Sequence, residues 1–294
     1  MDVVGFGALN YDRLYNVEKI AAPGEEVAVK EAWESPGGSA ANTIFGLARL
    51  GFKTGFIGCV GDDNFGRVIL DNFSGEGVDI SSIKISGGKT GTAISLIDKS
   101  GERTLYVYSG ANDELSAGDV SLDYVTDAKF LHLTSMVNEK QFELQKQLVE
   151  KIEGVKVSFA PGEFYAEKGL DNLKPIIERS YVMFLNRREI EMLTGRDYSE
   201  GSREFIDAGV EVVAVTLGKD GCFVSSEKDS YLVNAERRNV VDATGAGDAF
   251  ACGFLSGLLT SKPLHECGKL GNAAAGGCIE KFGARAGLQD KLKG

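Results

Sequence analysis

Asp242-Ala243-Thr244-Gly245-Ala246-Gly247-Asp248-Ala249-Phe250 is the stretch from which the fold can be read. Two glycines separated by one small residue leave the backbone bare, and the apolar positions that follow, Phe250, Phe254, Leu255, Leu258 and Leu259, recur at helical spacing. A glycine turn feeding a helix aims unpaired N–H groups and the positive end of the helix dipole at one point, which makes an anion site. The same dipole is expected to keep Asp248 ionised and able to accept a proton. An anion site beside such a carboxylate suits transfer of a phosphoryl group onto an alcohol. Taken alone, the turn is equally well a glycine-rich helix start with a capping aspartate.

A second stretch, Pro36-Gly37-Gly38-Ser39-Ala40-Ala41-Asn42-Thr43, runs into Ile44, Phe45, Leu47, Ala48 and Leu50 and stops at Gly51. It reads as another glycine turn entering a helix, with Gly51 as the C-terminal stop. Gly37 and Gly38 let a polyhydroxylated ligand lie against the backbone, and Asn42 offers a donor and an acceptor suited to a hydroxyl.

Three further segments complete a pattern: Gly58-Cys59-Val60-Gly61-Asp62-Asp63-Asn64-Phe65-Gly66, Asn186-Arg187-Arg188-Glu189 and Thr216-Leu217-Gly218-Lys219-Asp220-Gly221. With these five stretches in the family's order along the chain, the sequence resembles, essentially end to end, the ribokinase-like (PfkB) family of carbohydrate and nucleoside kinases. The resemblance implies an α/β fold, a three-layer αβα sandwich with a mostly parallel central sheet and a small β-sheet lid. The chain is read as a single kinase domain over 1–294, with lid segments at about 13–35 and 90–109.

Bulk properties agree with a globular enzyme. The chain has 294 residues, 43% of them hydrophobic and 26% charged, enough for one large domain. A net charge of −11 argues against nucleic acid or an anionic membrane surface as partner, so a nucleotide must be held by local donors and metal. Five scattered cysteines and two histidines form no zinc pattern and read as small buried hydrophobes in a reducing compartment. The first residues read directly as a strand and no apolar run has membrane-spanning length, so a cytoplasmic protein is expected. Gly5-Phe6-Gly7-Ala8-Leu9-Asn10 lacks the third glycine of a dinucleotide fingerprint, which excludes the NAD reading.

Short apolar runs at Val3–Phe6, Thr54–Val60, Phe130–Thr134, Lys156–Ala160, Tyr181–Leu185 and Val212–Thr216 read as buried strands, with helices at 42–50, 64–75, 139–152 and 187–194 between them. That alternation predicts a mostly parallel sheet with ligands at the C-terminal ends of its strands. Glu26–Trp33 alternates as a half-buried strand, and 90–109 reads as a hairpin turning at Lys99-Ser100-Gly101-Glu102. If Trp33, Tyr106 or Tyr108 faces away from the active site, the lid presents an apolar patch to a partner. Relatives that pair through their lids point to a homodimer; the other reading has these aromatics lining the substrate pocket or packing on the domain.

The remaining assignments are those the resemblance implies. Asp248 matches the catalytic base, and the N–H groups of Gly245, Ala246 and Gly247 hold the transferring phosphoryl group of ATP. Asn10, Asp12, Gly37, Gly38 and Asn42 match acceptor-binding positions. Thr216, Gly218, Gly221 and Asn272 match the nucleotide site. Asn186 and Glu189 match positions that organise Mg²⁺ and its waters, although the same residues describe an ordinary helix cap. Asp242 and Gly283 match a site for a monovalent cation such as K⁺, with Gly287 where relatives often have serine. Gly37, Gly38, Asn42 and Asp12 suit a furanose or similar polyol, and Ser109–Leu115 resembles the corresponding segment of ribokinases. Lys30, Lys89 and Arg103 are the candidates for a phosphosugar's cationic pocket. A ribokinase-like activity is therefore expected, with a nucleoside kinase as the alternative and a non-catalytic sugar- or nucleotide-binding protein as the remote one.

Overall fold

In the computed structural model, which describes residues 1–99 and 103–287, strands and helices alternate along the chain. The first part contains β1 (Val3–Phe6), β2 (Asn10–Val17), β3 (Val29–Gly37), α1 (Ser39–Arg49), β4 (Thr54–Gly61), α2 (Asn64–Gly75), β5 (Ile83–Ser86), β6 (Gly91–Ile97) and β7 (Arg103–Tyr108). The middle contains α3 (Leu122–Thr126), β8 (Phe130–Thr134), α4 (Glu139–Lys151), β9 (Lys156–Ala160), α5 (Gly162–Ala166), α6 (Leu170–Ile177), β10 (Ser180–Asn186) and α7 (Arg187–Thr194). The last part contains α8 (Tyr198–Asp207), β11 (Val212–Thr216), β12 (Cys222–Ser226), β13 (Ser230–Val233), α9 (Ala246–Leu259) and α10 (Leu264–Ile279). The turn expected at 99–102 falls almost wholly outside the described residues.

The apolar runs form the inside of a large sheet in the order β13-β12-β11-β10-β9-β8-β1-β4-β5. Pairing is parallel from β5 to β11, and β12 and β13 add an antiparallel edge. Both faces are covered, which is why these strands are apolar without alternation. In β10, Val182 and Phe184 join Ile44, Phe250 and Phe254 under α1 and α9, whereas Met183 and Leu185 join Phe142, Leu173 and Phe205 under α4, α6 and α8. Each such side chain contributes about 1.5–3 kcal/mol on burial. The strand order reverses at β1, between β4 and β8, and that is where a doubly wound sheet opens a crevice.

A second sheet, β3-β2-β6-β7, rises from that crevice. Strand β2 runs antiparallel to β3 and parallel to β6, and β6 pairs antiparallel with β7. The register puts Asp12, Leu14, Trp33, Ser95 and Leu105 on one face and Tyr11, Arg13, Tyr106 and Tyr108 on the other. Trp33 therefore shares the face of Asp12 and stacks on Phe282 with ring centroids 4.4 Å apart, while Tyr106 and Tyr108 are exposed on the opposite face.

The Gly58–Gly66 segment is the joint between the two sheets. Asp63 caps α2 by accepting from Gly66 N–H (2.8 Å), and it also accepts from Thr90 N–H (2.9 Å) and Thr90 Oγ1 (2.7 Å) in the turn that starts β6. Phe65 lies flat under Tyr11 of β2, centroid to centroid 4.3 Å. Asp63→Ala should cost about 1–2 kcal/mol, the usual worth of a lost helix cap, measured as a lower urea midpoint at unchanged slope.

Candidate active site

Helix α9 starts from Gly245, whose φ of +78° is left-handed. A Cβ there would also lie 2.3 Å from the Ala284 Cβ, so torsion and space both exclude a side chain. The Ala246 N–H, expected to face a phosphoryl group, instead donates to Ala243 O at 3.2 Å and closes the turn. No backbone acceptor among the described residues takes the N–H groups of Gly245, Gly247 and Asp248, so the open donor set includes Asp248 N–H in place of Ala246 N–H.

The Asp248 carboxylate is seated by α1. Ser39 Oγ donates to Oδ1 (2.5 Å) and Asn42 Nδ2 to Oδ2 (2.8 Å), while Thr43 Oγ1 donates to the Asp248 carbonyl (3.1 Å). Burial acts against the ionised form expected at this helix start. Removal from water raises the Asp248 pKa to about 6, with the Ser39 and Asn42 hydrogen bonds and the charges of Arg285 and Arg103 opposing the rise. Asp248 is thus still mainly ionised at neutral pH, and its proton affinity is higher than that of a free carboxylate.

Asp12 points into the same space. Its Oδ1 is buried without a partner, and desolvation pushes its pKa up to about 7 against the pull of Arg285. Gly37 leaves the necessary room, since a Cβ there would lie 1.9 Å from Asp12 Oδ2. Gly38, at φ +104°, lets α1 begin against Ala8 O. Asn10 is buried and accepts from Asn112 Nδ2 (2.9 Å). Asn112 itself, which the sequence reading did not single out, clamps Leu9 by accepting from its N–H (2.8 Å) and donating to its carbonyl (3.3 Å). Asn42 is engaged at both ends of its amide, by Asp248 and by Arg285 Nε at 2.8 Å, leaving one N–H and one lone pair for a ligand.

Of the three cations considered for a phosphosugar, Arg103 reaches the anion loop, its Nη1 donating to Thr244 Oγ1 at 3.3 Å. Lys30 is engaged in an exposed ion pair with Glu18 on the lid. Arg285, absent from the sequence reading, is the buried cation of the site, and burial lowers its pKa to about 10.

Asp242 and Gly283 are brought together, but by a hydrogen bond between them. Asp242 Oδ2 accepts from Gly283 N–H (3.0 Å) and its Oδ1 from Thr244 N–H (2.9 Å), which staples the anion loop to the C-terminal loop. Asn186 and Glu189 form a full capping box at the start of α7, with Asn186 Oδ1 accepting from Glu189 N–H and a Glu189 oxygen accepting from Asn186 N–H. Burial raises the Glu189 pKa, and Glu163 and Asp248 add to the rise, so this carboxylate also faces the site.

Beside the anion loop lies a cavity of about 750 Å³ lined by Thr216, Gly218, Gly221 and Asn272, together with Gly247 and Ala246. Asn186 does not line it. Gly221, at φ +97°, is forced by Val233 O, which would sit 2.0 Å from a Cβ. The Asn272 amide donates to Val233 O (2.9 Å), so its nitrogen braces the cavity wall. Lys219 of the Thr216–Gly221 stretch lines the same cavity, as do two cations missed in the sequence, Arg237 and Arg238. Their signal was weak because charged residues in loops are usually solvated.

The profile of the pfkB family of carbohydrate kinases matches residues 1–291. The chain belongs to this family. An uncharacterised sugar kinase of Archaeoglobus fulgidus is 41% identical over 246 residues, 83% of this chain and 98% of that protein. The ribokinase of Haemophilus influenzae is 32% identical and the alignment covers 96% of this chain and 93% of the relative. The cytidine kinase of Thermococcus kodakarensis is likewise 32% identical, covering 96% and 98%. The crystal structure of Thermotoga maritima ribokinase superposes with a TM-score of 0.87 at 25% identity, covering 98% of this chain and 95% of that one. As a member of the pfkB family the chain is a phosphotransferase with an alcohol as acceptor and ATP as co-substrate. No helix among the described residues is long and apolar enough to cross a membrane.

The two raised carboxylates predict two separable acid limbs. A base must be ionised to act, so kcat/KM should fall as pH drops through about 6, where Asp248 protonates in the ligand-free site. Acceptor KM should rise as pH drops through about 7, where Asp12 takes up a proton and loses acceptor capacity. Steady-state kinetics from pH 5 to pH 9 would check both, and coincident limbs would contradict the separate roles.

Proposed function

We propose that this chain transfers the γ-phosphoryl group of ATP to a hydroxymethyl group of a small sugar, in the manner of a ribokinase. The observation that carries the reading is the convergence of the Asp248 carboxylate, open N–H groups at the start of α9 and the unpartnered Asp12 oxygen. Asp12 and Asn10 would hold the acceptor's hydroxyls, with Gly37 and Gly38 letting the ring lie against the backbone. The acceptor oxygen then attacks the γ-phosphorus as its proton passes to Asp248, the bond to the β-phosphate oxygen breaks, and ADP leaves. The N–H groups of Gly245, Gly247 and Asp248 would receive the charge that builds on the transferring oxygens. Thr216, Gly218 and Gly221 would hold the nucleotide, with Lys219 and Arg237 supplying local positive charge.

Mg²⁺ supplies charge neutralisation of the phosphates in such reactions. Glu189 and Asn186 fit it as oxygen donors acting through water, because a hard cation needs few direct protein ligands when phosphates are present. A K⁺ requirement through Asp242 and Gly283 is tested by replacing K⁺ with Na⁺ in the same assay.

A nucleoside acceptor is the second reading, supported by the likeness to the cytidine kinase. Ribokinase, cytidine kinase and the ribose-1-phosphate kinase of Halopiger xanaduensis, 30% identical over 285 residues, share a ribosyl unit in the names of their acceptors. The lid face bearing exposed Tyr106 and Tyr108 is the surface we assign to a homodimer. Five free, buried cysteines agree with a reducing, cytoplasmic setting.

The test is ATP turnover with ribose, fructose, adenosine, cytidine and ribose 1-phosphate as acceptors. Turnover on ribose at the highest kcat/KM is expected, and Asp248→Asn should lower kcat by about 10²–10⁴-fold while ATP still binds. Retained turnover in Asp248→Asn would overturn the assignment of the base. Tyr106→Asp with Tyr108→Asp should shift a dimer to monomer in light scattering, and an unchanged mass would remove the lid interface.

A further inference from the structure

We propose that Arg285 is a positioning residue of the phosphotransfer site, fixing the Asn42 amide that in turn holds the Asp248 carboxylate. The inference rests on the reading of Asp248 as the base.

Arg285 is 8% exposed and reaches the site from the C-terminal loop. Its Nε donates to Asn42 Oδ1 (2.8 Å), its Nη1 to Asn72 Oδ1 of α2 (2.5 Å), and its Nη2 lies 3.5 Å from Gly37 O. The guanidinium carbon sits 4.8 Å from the Phe45 ring centre and 5.3 Å from that of Phe73. A planar fork held by three acceptors and two rings has one orientation.

That orientation determines the amide beyond it. A guanidinium has donors only, so the Asn42 end facing Arg285 must be the oxygen. The NH₂ end must then face Asp248, where it donates at 2.8 Å. Without the arginine the amide oxygen loses its partner, and only the contact with Asp248 itself is left to hold the amide in place. Arg285 and Asn42 are 243 positions apart, so the contact couples the end of the chain to the first helix of the site. Packing between Phe45 and Phe73 alone would require a flat cation but no particular Nε partner.

The charged and titratable groups within electrostatic reach of Asp248 are Arg103 from β7, Asp12 from β2, Glu189 from α7, Cys278 from α10 and Arg285. Arg103 is exposed and reaches Asp248 without touching Asn42, so the amide lock belongs to Arg285.

The test uses full-length protein with ¹³C-labelled aspartate carboxyls, the Asp248 signal being assigned by its loss in Asp248→Asn. In Arg285→Gln and in Asn42→Ala that signal should titrate about one pH unit higher than in the wild type. The kcat of the double variant should fall no more than in the worse single variant, because the two residues act as a unit, although its Asp248 signal also loses the direct pull of the Arg285 charge. Arg285→Lys, which keeps a charge but loses the fork, should leave the Asp248 titration closer to the wild type than Arg285→Gln does, while lowering kcat as Arg285→Gln does. A wild-type kcat in Arg285→Lys would show that any buried cation suffices and would overturn the proposal, as would multiplicative losses of kcat in the double variant. ATP affinity serves as the fold control, since none of these residues lines the nucleotide cavity. If Arg285→Gln does not bind ATP, Asn72→Ala takes its place, and an unmoved Asp248 signal there overturns the proposal. The titration needs no acceptor, so absence of turnover on every sugar and nucleoside would count against the proposed function without touching the role of Arg285.

Discussion

Helices α1 and α9 start at the same point in space, and the Asp248 carboxylate lies between their first turns. Ser39 and Asn42 reach it from positions 209 and 206 residues away. Hydrogen bonds to a charged group are worth about 1.5–3 kcal/mol each, and here they work against a desolvation large enough to lift the pKa to about 6. The balance leaves a carboxylate that is ionised near neutrality yet basic enough to take a proton. It holds only if both helices begin where they do. Gly38 and Gly245 supply the two positive-φ entries, and Ala284 packed on Gly245 leaves the second no alternative.

The lid depends on this arrangement indirectly. Strand β2 continues from β1, and β3 runs straight into Gly37, whose missing side chain is the space that Asp12 fills. The Asp63–Thr90 contacts and the Tyr11–Phe65 stack then fix β2 and β6 to α2. Trp33 on Phe282 makes a second attachment, between the lid and the loop that carries Gly283 and Arg285. Lid, anion loop and C-terminal loop therefore meet around one small volume, and a displacement of any of them is felt by both carboxylates.

Much of this was legible in the chain. Unbroken apolar runs marked the interior strands because a sheet covered on both faces needs no alternation, and the helix expected over 64–75 coincides with α2. The glycine turns were legible because positive φ has few other occupants. Strands β5, β12 and β13, towards the ends of the sheet, were not, since half-polar runs such as Cys222–Ser226 carry no unbroken apolar signal. The alternation around Trp33 gave a strand but no face. Only the pairing of Leu14 with Trp33 puts that ring on the side of Asp12. Arg285, Asn112 and Ala246 were misjudged or missed for a common reason. Their roles are set by partners distant in sequence or by the closing of a single turn, and neither leaves a periodic trace.

Charge makes the same point at larger scale. A chain of net charge −11 repels a nucleotide at long range, yet Lys219, Arg237 and Arg238 converge on the cavity beside α9. Arg238 is itself held by Glu236 and Glu280, so its side chain is already oriented by carboxylates that belong to the overall excess. Within a Debye length of about 8 Å these local donors, not the overall field, decide what binds. On the acceptor side the balance is different: Arg103 and Arg285 stand against Asp12 and Asp248, and the pocket is close to neutral. Such a pocket suits hydroxyls better than a second phosphate, because both arginines already face carboxylates. The same balance keeps both carboxylates within a unit or so of neutrality, where a proton can be taken and returned.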